Sequence, residues 1–187
     1  AQARDAAQAA GDALLAALEE NDASQRAAAL EAVTAQGSSA AVTLLLRAAT
    51  QQEAGAVADA AQTLNALAVD PDVPQMYRDL AAFKAAMLPS EDAAARKAAL
   101  EALSAPGLPF SLLAVEQLAY MALAEGDTDG AVALLRRIDE DANTTRGLRE
   151  RVHSHHHAGA SAVVGARESG RPALAIPRRA DGCVRAV

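Results

Sequence analysis

Residues 111–141 read SLLAVEQLAYMALAEGDTDGAVALLRRIDED, and the fold turns on this stretch. Its first half is mostly Ala, Leu and Met, strong helix formers, up to about Ala124. Gly126 then allows the positive φ on which helices often end, and Asp127 or Thr128 offers an oxygen to cap the next helix. Beyond the turn, Ala131, Leu134, Leu135 and Ile138 recur at helical spacing and form one apolar stripe. The unit is a helical hairpin.

The layout repeats along the chain. Turn residues Asn21, Gly55, Ser90 and Gly126 are separated by 34, 35 and 36 residues. A small residue follows each turn (Ala27, Ala60, Ala95, Ala131), then a leucine (Leu30, Leu64, Leu100, Leu135), then a further apolar residue (Val33, Leu67, Leu103, Ile138). Such a period belongs to the tetratricopeptide repeat, a helix–turn–helix unit that stacks on its neighbours. The alanine after each turn has a physical role, letting the two helix axes of a hairpin approach closely. The second copy, residues 40–71, closes on Asp70-Pro71. The first, 1–37, has only polar residues at its turn, and the third, 74–109, is broken by Pro89 and Pro106. After Asn143, TTRGLRERV reads as one more helix, opened by Thr144 or Thr145, which caps the last hairpin. The expected fold is therefore all-α: an α-solenoid of about four degenerate tetratricopeptide-like hairpins plus a C-terminal capping helix, over residues 1–152. The consensus tryptophan is absent, which leaves a generic alanine-rich bundle as the alternative.

Composition narrows the function. Half of the 187 residues are apolar, but the aromatics are only Tyr77, Phe83, Phe110 and Tyr120, which argues against a large aromatic cofactor pocket. No cofactor is expected. Residues 1–152 hold 12 Lys+Arg and 22 Asp+Glu, a net charge of -10. An acidic body argues against nucleic acid and against direct docking on anionic lipid. Cys183 is the one cysteine, so the body needs no disulfide. No apolar run is long enough to span a bilayer.

Chemical motifs are sparse. His153, His155, His156 and His157 are weak metal-ligand candidates, because imidazole suits Zn or Ni but a site also needs oriented ligands. All four are expected in an unscaffolded tail, which also weakens Ser/His/Asp catalysis. Asp139, Glu140 and Asp141 lack the ligand alternation of a calcium loop, and Arg136-Arg137 reads as cations at a helix C-terminus. There is no phosphate-binding GxxxxGK[ST] loop.

A binding face is the stronger expectation. In stacked hairpins the first helix of each lines the concave side. Counting back from each turn places Leu15, Leu18, Val42, Leu45, Tyr77, Leu80, Lys84, Met87, Leu113, Tyr120 and Leu123 on or near that side. Rigid, amphipathic tyrosines and adaptable Met87 suit protein contacts. The expected ligand is an apolar stretch of a client or an amphipathic helix.

The opening AQARDAAQAAGDALLAALEENDASQRAAALEAV, the hairpins, and VDPDVPQMYRDLAAFKAAML over residues 69–88 together resemble a bacterial family. It is the tetratricopeptide-like domain of the ancillary SecYEG translocon subunit. The resemblance spans residues 1–152 and rests on the overall pattern. It implies a domain on the periplasmic side of the inner membrane, tethered by an upstream transmembrane helix ending just before Ala1. It also implies protein partners, namely translocon subunits and a periplasmic chaperone of the peptidyl-prolyl isomerase type, and no catalytic residues. A periplasmic scaffold for envelope assembly or cell division is the alternative, and a metal-binding protein using the histidines a further one. Self-association through an incomplete cap is a further expectation.

Residues 153–187 depart from the family's pattern, gaining Arg, Gly and Pro. Codons for His155-His156-His157-Ala158-Gly159, shifted by one base, can read Ile-Ile-Thr-Leu-Gly and prolong an apolar helix. The hypothesis is an atypical, poorly ordered tail with an out-of-frame origin. The nucleotide sequence tests it: no restoring single-base shift, no frame change.

Overall fold

The protein is all-α. A computed structural model describes residues 2–90 and 92–154, and no strand occurs among them. The helices are α1 (Gln2–Leu18), α2 (Ala23–Glu31), α3 (Gly37–Glu53), α4 (Val57–Val69), α5 (Gln75–Met87), α6 (Ala93–Leu103), α7 (Ser111–Glu125) and α8 (Thr128–Glu140). A ninth, α9, occupies residues 146–154. Each helix packs chiefly on its neighbours in sequence, and α3 also touches α5.

The turns follow from local chemistry. Gly126 sits at φ 82°, and the amides of Gly126 and Asp127 donate to the carbonyls of Leu123 (3.1 Å) and Ala122 (2.9 Å). This pattern is a Schellman cap, and Gly55, at φ 78°, closes α3 in the same way. Asp22, Asp92 and Asp127 cap α2, α6 and α8, each accepting from the amide three residues on, at 2.8–2.9 Å. Asp127, not Thr128, is the cap of α8. At α9 the two threonines divide the work. Thr145 Oγ1 accepts from the Leu148 amide at 3.4 Å, while the Thr144 hydroxyl donates to the Ile138 carbonyl and ties the turn to α8.

The repeat leucines Leu30, Leu64, Leu100 and Leu135 are at most 2% exposed. Burial of each contributes roughly 1.5–3 kcal/mol. The core runs through three clusters. One joins α3, α4 and α5 around Leu64 and Leu67; one joins α5, α6 and α7 around Leu100 and Leu118; one joins α7, α8 and α9 around Ile138 and Val152. Phe83 and Phe110 stack beside the middle cluster, centroids 5.3 Å apart.

The alanine rule holds unevenly. Ala60 and Ala131 are fully buried, Ala27 is half-buried, and Ala95 is exposed. The exception lies in the hairpin that contains Pro89. Pro89 holds Leu88 in an extended conformation (ψ 148°), which ends α5 at Met87. Helix α6 packs more extensively on α7 than on its own partner α5. The C-terminal boundary also shifts. Helix α9 continues through His153 and Ser154, past the end expected at Val152. No described helix is long and apolar enough to cross a membrane.

Candidate protein-binding surfaces

The first helices of the hairpins carry the residues that sequence reasoning proposes for binding, and the structure divides them. Leu45 and Tyr77 are half-buried against the α3–α5 cluster, and Leu113 against the α7–α9 cluster. Leu80 and Leu123 are half-buried. Lys84 and Met87 come together with Ala48 and Gln52 of α3 around a cleft of about 70 Å³. Leu15, Leu18 and Val42 are exposed, at 63%, 41% and 38%. Val42 borders a cleft of about 240 Å³ between α1 and α3.

Tyr120 is committed at its polar tip. Its hydroxyl donates to Glu116 Oε1 at 2.9 Å. Glu116 is only 3% exposed, and Arg151 of α9 meets it with two donors, one of them on the same Oε1. Burial, and then the bond to this carboxylate, raises the Tyr120 hydroxyl above the ordinary phenol range. The Glu116 hydrogen bond likewise raises Arg151. This triad is not evident from the sequence. Its one visible sign is an acid inside the apolar run Ala114–Ala119, four residues before a tyrosine.

His153 is scaffolded, contrary to expectation, because α9 extends far enough to hold it. Its Nε2 lies 3.1 Å from Asp139 Oδ1 on α8, and Arg149 Nε lies 3.6 Å from the same oxygen. Among the described residues no three His, Cys, Asp or Glu side chains converge as a metal site. His155, His156 and His157 lie outside the described residues.

The two larger grooves open between second helices, not between first helices. Helices α4 and α6 flank one, with α5 as its floor and a volume of about 750 Å³. Its lining is mostly apolar, with Val57, Ala61 and Val69 on one wall, Ala85 and Ala86 below, and Ala99 and Leu103 opposite, while Asn65 and Arg96 supply polar groups. It lies where α6 packs less extensively on α5 than on α7, and Ala95, exposed on α6, is part of its lining. Val69, at 77% exposure, stands at its edge. The second groove lies on the other side of α4, between α2 and α4 over α3, with a volume of about 710 Å³ and a lining of mixed polar and apolar residues.

Compared with known protein families, curated proteins and solved structures, the chain matches none.

Proposed function

We propose that this chain is a non-enzymatic protein-interaction domain whose main contact is the apolar α4–α6 groove. The observation that carries the reading is the groove itself: an open channel of small apolar side chains between two helices. Such a channel accepts the apolar face of an amphipathic helix, with alanines allowing close approach of the incoming backbone. The Lys84–Met87 cleft on the other side of α5 offers a second, smaller contact.

The resemblance in the repeat pattern supplies the setting. On that reading the domain is an ancillary subunit beside the SecYEG channel, on the periplasmic side of the inner membrane, working with a peptidyl-prolyl isomerase-type chaperone on secreted proteins. Photo-crosslinking tests it, with a crosslinking side chain at Val69, and separately at Tyr77, in cells that make the protein. Adducts with channel subunits, a periplasmic chaperone or chains in transit support this setting. Adducts confined to envelope-assembly or division components replace it with the scaffold alternative.

A further inference from the structure

The cleft between α2 and α4 differs from the α4–α6 groove in carrying charged side chains of both signs. Among its lining residues Glu31, Asp59 and Asp70 face a single cation, Arg47. Arg47 Nη2 lies 3.1 Å from Glu31 Oε2, which neutralises one acid and leaves two negative charges in excess. The Asp70 carboxylate accepts the Asp72 amide at 2.9 Å within its own turn, a neutral donor that leaves its charge in place.

The floor adds an independent observation. Gln51 lines the cleft from α3 and is only 6% exposed. Its Oε1 accepts from the Thr63 hydroxyl at 2.9 Å, which fixes the amide and leaves its NH2 to meet water or a ligand in the cleft. One turn earlier on α3, the Nε of Arg47 is buried and lacks an acceptor among the described residues. A buried donor such as this Nε loses free energy unless an oxygen meets it.

We propose that this cleft binds an extended peptide segment rich in Lys or Arg. Backbone carbonyls of the segment meet the donors of the floor, and its cationic side chains meet Asp59 and Asp70. A carboxylate ligand would satisfy the donors but be repelled by the rim. An apolar helix would leave both unmet. The site is separate from the α4–α6 groove, and neither depends on the other.

The test uses the whole chain and a short fluorescein-labelled peptide of alternating Arg and Ala, with an alternating Glu and Ala peptide as comparison. Anisotropy should show binding of the basic peptide only. Amide NMR shifts should map to Arg47, Gln51, Asp59 and Thr63. Reversing the exposed Asp59 in Asp59→Lys should weaken binding about tenfold, since two cations then face each other across a partly screened cleft. Glu125→Lys makes the same change in net charge on α7, outside the cleft, and should leave affinity unchanged. Equal weakening by both variants, shifts mapping elsewhere, equal binding of the acidic peptide or no binding at all would each overturn the proposal.

Discussion

Arg151 on α9 grips the carboxylate of Glu116 on α7 with two hydrogen bonds, Nε to Oε1 at 2.7 Å and Nη2 to Oε2 at 2.9 Å. The pair joins residues 35 positions apart and fastens the last helix to the body. Glu116 is buried, while the Arg151 side chain is 49% exposed. The carboxylate therefore depends on its partner more than the guanidinium does. Removing one member of a fully buried pair costs roughly 3–5 kcal/mol. With half of Arg151 in water, Arg151→Ala should cost about 2 kcal/mol. Glu116→Gln with Arg151→Met should cost less than the sum of the two singles. Arg146→Ala, which breaks the exposed pair with Glu150, should change stability by less than about 0.5 kcal/mol. Urea denaturation measures all of these variants. Equal losses for Arg151→Ala and Arg146→Ala would refute the dependence.

The same triad sets an alkaline limit. The fold raises the Tyr120 hydroxyl, chiefly by burial and next through Glu116. A raised pKa favours the neutral phenol in the folded state. The unfolded chain then ionises first, and stability falls as pH climbs past about 10. In a Tyr77→Phe background, tyrosinate absorbance should titrate with a midpoint above 10. Adding Glu116→Gln should lower that midpoint, since it removes the carboxylate charge. No change would show that Glu116 does not act on Tyr120.

Equivalent repeat positions should respond in opposite ways. Ala131 is fully buried and Ala95 is exposed, although both are the first alanine of the repeat pattern after a turn. Overpacking a full core position costs roughly 1–3 kcal/mol. Ala131→Leu should therefore lower the melting temperature by several degrees, and Ala95→Leu should leave it within about one degree. Similar shifts for both would mean that α6 packs on α5 as the simple repeat requires.

Glycines divide on the same physical grounds. Gly126→Ala forces a Cβ into the left-handed region and should cost about 1 kcal/mol. Gly11 lies within α1, where an added Cβ meets nothing within 4 Å, so Gly11→Ala should stabilise by about 0.5–1 kcal/mol. Thermal unfolding of the two variants compares them directly.

Much of the architecture is legible in the chain because it rests on local signals. The turn glycines, the capping aspartates and the leucines at a fixed period each act within a few residues, and each lies where its chemistry requires. The exposed Ala95 is not legible, because it depends on how α6 divides its packing between α5 and α7. Nor are the grooves, which depend on the spacing between helices that do not adjoin in sequence. The Arg151–Glu116 pair is hidden for the same reason, since spacing along one helix shows i to i+4 neighbours and not a partner on another. The proposed binding residues on the first helices are legible as apolar faces, but a face and a groove differ by packing. A run of histidines resembles a helix break before His153, whereas Asp139 on α8 gives His153 a partner and α9 continues.

The most direct test of a protein-binding groove is crosslinking from Val69 with and without the groove filled. Ala99→Phe places an aromatic ring between α4 and α6 from an exposed position, so the fold, followed by circular dichroism, should persist. Protein adducts are expected from Val69 in the unfilled protein, and their loss in Ala99→Phe. Absence of adducts from the unfilled protein, or an unchanged pattern after filling, would contradict a binding role for the groove.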